Sequence, residues 1–120
     1  MRKSDWKAKI KDQCEAAGTY AKHYDSVIDT LAATLEQRDR THAEFTASGG
    51  KSVIEYTNKA GATNVIKNPL LVLWMDLNQS ALALWRDLGL TPKGYKDITG
   101  DKQKKPKESA LAAALKSIED

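Results

Sequence analysis

The residues of this sequence that could do chemistry are few. Gly50-Lys51-Ser52 matches the end of the phosphate-cradling loop G-x-x-x-x-G-K-S, where backbone amides and the lysine hold a nucleotide's phosphates. The first glycine of such a loop would stand at position 45, which is Phe45. The loop should also follow a strand and open a helix, whereas here a helical pattern precedes it and a strand pattern follows. A helix-ending Gly-Gly turn is the better reading, and no nucleotide site is expected. The two histidines, His23 and His42, lie far apart, with no second cysteine and no paired-carboxylate motif to complete about four convergent metal ligands. Cys14 falls on an apolar helical stripe, where a small buried side chain fits better than a nucleophile, which needs a basic neighbour and access. No Ser-His-Asp arrangement is recognisable by spacing. The expectation is a protein with no cofactor, no metal and no catalysis of its own.

The elements that must position these residues are mostly helical. Trp6, Ile10, Cys14 and Ala17 fall at helical spacing behind Ser4 as a cap, and Gly18 ends the pattern. The opposite face carries Lys7, Lys9, Lys11 and Asp12. Tyr24, Ile28, Leu31, Leu35, Arg38, His42 and Phe45 then alternate at spacings of four and three, predicting a long helix over about 26–47 that Gly49 and Gly50 close. Arg38 and His42 are polar members of that seam, where they weaken packing but can fix register. Ser52 to Thr57 and Thr63 to Lys67 are rich in β-branched and aromatic residues and flank a Gly-containing connection, which predicts a β-hairpin. Asn68-Pro69 restarts a helix with two apolar stripes, Leu70, Trp74, Leu77, Ala81, Leu84 and Leu88 on one and Leu71, Met75, Asn78, Leu82 and Trp85 on the other. A neighbouring helix can cover one stripe, which leaves the second for another element or subunit. Gly89 stops the helix and Thr91-Pro92 caps a short turn. Residues 99–108 lack large apolar side chains and read as a flexible linker to Leu111, Leu115 and Ile118, an amphipathic segment too short to be a stable free helix. The expected fold is mainly α: an antiparallel helical hairpin core with a small β-hairpin between the two long helices, an N-terminal helix, and a C-terminal tail. Residues 1–98 form the folded domain, and residues 99–120 the linker and a helix that folds in a partner's groove.

At 120 residues with 41% apolar content, one domain is expected, with a core thin enough that self-association would add to it. The formal net charge of +3 is mild but unevenly spread, positive at both ends and negative over residues 23–50. One cysteine forms no internal disulfide, the basic N-terminus has no apolar stretch behind it, and the apolar run Pro69 to Met75 is far too short for a membrane span. A soluble intracellular protein with no membrane partner is expected.

Arg38-Asp39-Arg40, Phe45, Ser48-Gly49-Gly50, Glu55 to Asn64, Lys67-Asn68-Pro69-Leu70 and Leu88-Gly89-Leu90-Thr91-Pro92, taken in order, resemble the family of phage terminase small subunits. The resemblance spans roughly residues 20–98 and finds no signature in the first helix or the tail. It implies a ring-like homo-oligomer in the cytoplasm of the infected bacterial host. That ring would bind double-stranded viral DNA and recruit or stimulate a large terminase subunit, to which the ATPase and nuclease belong. Lys3, Lys7, Lys9 and Lys11 on the first helix, Arg38 and Arg40 on the second, and Lys51, Lys59 and Lys67 around the hairpin are the candidate DNA contacts. Leu71, Met75, Leu82 and Trp85 are the candidate oligomer contacts, and Leu111, Leu115 and Ile118 the candidate large-subunit contacts. Two alternatives stay open: a helical DNA-binding transcriptional regulator, and a helical adaptor with no nucleic acid partner.

Overall fold

A computed structural model describes residues 1–100. Helix α1 spans Lys3–Ala17, a 3-10 turn Lys22–Tyr24, α2 Asp25–Ala47, β1 Val53–Thr57, β2 Thr63–Lys67 and α3 Pro69–Asp87. Residues 92–100 form a further helix, α4. The protein is mainly helical with a two-stranded antiparallel sheet between its two longest helices, as expected. The expected linker beyond residue 100 and Leu111, Leu115 and Ile118 lie outside the described residues.

Helix α1 starts earlier than Ser4: Arg2 is the capping residue, and its backbone N–H donates to the Asp5 carboxylate at 3.3 Å. Gly18 ends the helix at φ 73, a left-handed conformation that turns the chain back. Helix α1 then runs antiparallel to the first half of α2. Near its start the Lys3 amide donates to Glu36 and Trp6 Nε1 to Asp39, at 2.6 and 2.9 Å, while just past its end the Tyr20 hydroxyl donates to Asp25 at 2.8 Å.

Helix α3 lies antiparallel on another side of α2, with Arg38 Nη1 donating to Asn78 Oδ1 at 3.4 Å and the His42 and Trp74 rings 5.4 Å apart. Ile28, Leu31 and Leu35 of the predicted seam are buried, together with Trp6, Ile10 and Cys14 from α1 and Ala81 and Leu88 from α3. The core is therefore confined to one end of the helical hairpin. Toward the other end, Val72, Leu73 and Met75 of α3 are exposed. Asn78, grouped with the outer stripe by periodicity, instead faces α2 through its bond to Arg38.

The chain leaves α2 through Gly49 and Gly50, both at positive φ. The hairpin pairs Val53 with Lys67, Ile54 with Ile66, Glu55 with Val65, Tyr56 with Asn64 and Thr57 with Thr63. Its tip is tied by Asn58, whose Oδ1 accepts from the amides of Ala60 and Ala62 at 3.0 Å each. At its base, buried Asn68 joins strand to helix: Oδ1 accepts the Leu70 amide at 3.0 Å, and Nδ2 donates to the Lys51 carbonyl at 2.9 Å.

The short turn expected after Thr91-Pro92 is a helix of at least two turns, and Thr99, expected to open the linker, is helical and buried. The reason is tertiary. Gly94 lies so close to the end of α3 that a Cβ there would meet the Arg86 carbonyl oxygen at 2.1 Å, and Ile98 and Thr19 crowd the space beside Gly89. Gly94→Ala should therefore lower stability in urea by about 1–3 kcal/mol. Gly100→Ala, with nothing within 4 Å of its added Cβ among the described residues, should be neutral or add up to about 1 kcal/mol through helix propensity. Equal responses from the two would contradict the close approach of α4 to α3.

Candidate nucleic-acid interface

The cationic candidates fall into two groups in different surroundings. On the helical body, Lys3 and Lys7 share Asp29, at 3.1 and 3.3 Å. Arg40 pairs with Glu36 at 3.5 Å. Lys9 and Lys11 carry their ammonium groups 5.1 and 5.2 Å from the ring centres of Trp6 and Tyr20. Arg38 is half-buried, bonded to Asp39 Oδ1 at 3.0 Å and to Asn78, with its guanidinium 5.6 Å from the Trp6 ring centre. It braces α1, α2 and α3 against one another. A phosphate there would displace an internal partner.

Two carboxylates record these contacts. Hydrogen bonds from Lys3 and Lys7 hold Asp29 below the usual carboxylate range. Burial of Asp39 opposes its charged form, but the bonds from Trp6 and Arg38, with the neighbouring positive charges, outweigh it and hold this carboxyl low as well. Cys14 is buried, and burial pushes its thiol up, away from the reactive thiolate.

Lys51, Lys59 and Lys67 are all exposed, at the base and tip of the hairpin. None has a carboxylate within ion-pairing distance among the described residues. Among the described residues the strands of the ribbon these lysines mark out pack chiefly on each other and make no extensive contact with α1, α2 or α3. Its own Val53, Tyr56 and Val65 are exposed, a feature that strand alternation did not reveal because alternation implies one covered face. The fold places these three lysines on one element and the α1 lysines on another, beyond the core.

The remaining features are surfaces. Gly49 and Gly50 end α2, and the Gly50 amide donates to the Phe45 carbonyl at 3.0 Å, so it is committed to closing the helix. Among the described residues no group of three His, Cys, Asp or Glu side chains could hold a metal ion, and no helix is long and apolar enough to cross a membrane. Along α3, Met75 and Leu82 are 53% and 60% exposed, whereas Leu71 is half-buried and Trp85 packs partly on the core. Leu82 and Trp85 border an apolar concavity of about 460 Å³ with Gln13, Leu90 and Thr91.

Among the described residues the fold is thus a helical hairpin with exposed apolar side chains along one flank of α3 and a two-stranded ribbon whose three lysines are exposed. The family model described as phage terminase, small subunit, matches residues 3–105, and the chain belongs to that family. Its role accordingly lies in phage DNA packaging. The match takes in α1, which carried no recognisable signature, along with every other described element. No curated protein and no solved structure matches the chain.

The lowered carboxyl of Asp39 fixes a sign for pH dependence. A group whose folded value lies below its unfolded value of about 3.9 stabilises the fold above that pH, and the contribution is lost as pH falls through the folded value. Unfolding midpoints should therefore fall progressively as pH is lowered through and below about 3.9. Asp39→Asn should be less stable at neutral pH and show a flatter acid limb in the same titration.

Proposed function

We propose that this small terminase subunit binds double-stranded viral DNA, assembles into a ring-like homo-oligomer and recruits or stimulates the large subunit, in the cytoplasm of the infected bacterial host. The family match over residues 3–105 carries this reading. Catalysis is assigned to the partner, in keeping with a Gly-Lys-Ser segment whose Gly50 amide is spent on ending a helix.

Self-association is assigned to the outer face of α3, with Met75 and Leu82 at its centre and Leu71 and Trp85 beside them. Large apolar side chains exposed together on one helix favour a partner surface. A core confined to one end of the molecule adds to the same pressure, since small chains bury a low fraction of their surface. The body is taken to extend through α4, and residues 101–120 to serve as the linker and the large-subunit contact, through Leu111, Leu115 and Ile118.

Mass photometry with and without a DNA duplex tests the assembly. The wild type should form one discrete oligomer that gains mass with DNA, while Met75→Asp/Leu82→Asp should dissociate with its helical content retained. A monomeric wild type, or an unaffected variant, would refute the assignment. Deletion of residues 106–120 should leave the oligomer intact and abolish stimulation of the large subunit's ATPase. Unchanged stimulation would remove the tail from the mechanism.

A further inference from the structure

Side-chain charge is distributed over the fold in an unexpected way. Residues 1–47 carry eight basic and eight acidic side chains, and residues 69–100 carry three of each. Between them, residues 48–68 carry Lys51, Lys59 and Lys67 against Glu55 alone. Summed over these three stretches the excess falls in the hairpin segment; residues 1–22 alone carry six basic and three acidic side chains, but they pack on α2, whose carboxylates bring residues 1–47 to balance. The two helical stretches are neutral in sum, and on the body Lys3, Lys7, Arg38 and Arg40 are matched to carboxylates.

We propose that the β-hairpin is the element that engages double-stranded DNA, its ribbon entering the major groove and Lys59 at the tip and Lys51 and Lys67 at the base reaching phosphates. This rests on the DNA-binding reading above and assigns the contact to the hairpin instead of α1. A two-stranded ribbon, with strands about 4.8 Å apart, is narrow enough for a groove about 12 Å wide. Five residues of strand separate tip from base by roughly 17 Å, so lysines at the two ends bracket the groove and face the backbones beside it. Local bonds tie the ribbon at both ends. Asn58 ties the tip, Thr57 and Thr63 join hydroxyls at 2.9 Å, and Asn68 anchors the base. A preformed ribbon gives up little conformational freedom on binding. Its lysines have no internal carboxylate to release, so their phosphate contacts come at less cost than those of Lys3 or Lys7.

The test is fluorescence anisotropy with a labelled duplex, using the full chain over a series of salt concentrations. Lys51→Gln/Lys59→Gln/Lys67→Gln should weaken binding on the order of tenfold or more and flatten the log–log salt slope by up to about 3 for each hairpin engaged. Lys7→Gln/Lys9→Gln/Lys11→Gln should change affinity far less. Glu55→Gln should strengthen binding, a gain that a folding defect cannot imitate. A fourth variant, neutralising Lys102, Lys104, Lys105 and Lys107, separates the tail from the ribbon and should also have the smaller effect. If the α1 or tail variant loses as much affinity as the hairpin variant, or Glu55→Gln gains nothing, the assignment to the hairpin is overturned while DNA binding stands. The ribbon's exposed face would then belong to a protein contact. A wild type that fails to bind duplex at any salt overturns DNA binding itself, and the hairpin assignment with it.

Discussion

Everything in this fold depends on one stripe of α2. Ile28, Leu31 and Leu35 are buried where α1 and α3 both pack on the first half of that helix. Each such aliphatic side chain contributes about 1.5–3 kcal/mol when taken fully out of water. Buried Ala32 and Ala81 are the small members of that core, where a larger side chain would hold the helices further apart. At the edge of this core the packing changes character. Arg38 and Asp39 occupy the next turn and bind Trp6 of α1 and Asn78 of α3, so the stripe ends in a polar brace. The seam position that weakens apolar packing is thus the point where three helices are locked in register.

Concentrating the core at one end leaves the other end with a different task. Beyond Arg38, α2 and α3 continue as a pair with partial cover, and the hairpin caps them without a core of its own. Asn68 makes that extension coherent. One amide side chain caps α3 and holds the start of the hairpin segment through the Lys51 carbonyl, so the direction of the ribbon is coupled to the helix axis. A two-stranded sheet is marginal in water by itself. Here its tip and base are both fixed by asparagine, and what would otherwise be a loose connection between helices becomes a defined projection.

Much of this was legible in local patterns. Spacing in α2 and α3 marked the buried seams, Asn68-Pro69 marked a helix start, and the β-branched runs around Gly61 marked the hairpin. What stayed hidden depended on residues distant in sequence. Gly94 and Gly100, with Pro92 just before them, argue against a helix when read locally, yet Gly94 is needed because α4 presses on the Arg86 carbonyl. Ser4 has a capping residue's chemistry, but the bond that opens α1 is made by Asp5 one position later, to the Arg2 amide. Lys3, Lys7 and Arg40 looked equivalent to the hairpin lysines because type and exposure are visible in a sequence and partners across a helix interface are not. Only the fold separates cations with an acidic neighbour from cations without one.

That separation bears on how a weakly charged protein would hold a polyanion. A net charge of +3 spread evenly over 120 residues would make a poor surface for DNA. In the proposed assembly, helical stretches that are neutral in sum joined by a cationic ribbon would keep attraction and assembly on different elements, so that subunits would pack flank to flank without bringing the lysine-bearing ribbons into the same contact. In the proposed ring each copy would add only a few phosphate contacts. Repetition around the ring turns a weak contact into a strong one, because once one ribbon is seated the others bind at high effective concentration. Lys51 changes meaning in this light. In sequence it imitates the lysine of a nucleotide-binding loop, but with α2 ended by Gly49 and Gly50 and a strand following, it lies beside a ribbon and faces solvent. In the proposed complex the phosphate it would meet is one carried by a nucleic acid backbone outside the fold, a role that needs no nucleotide cradle within it.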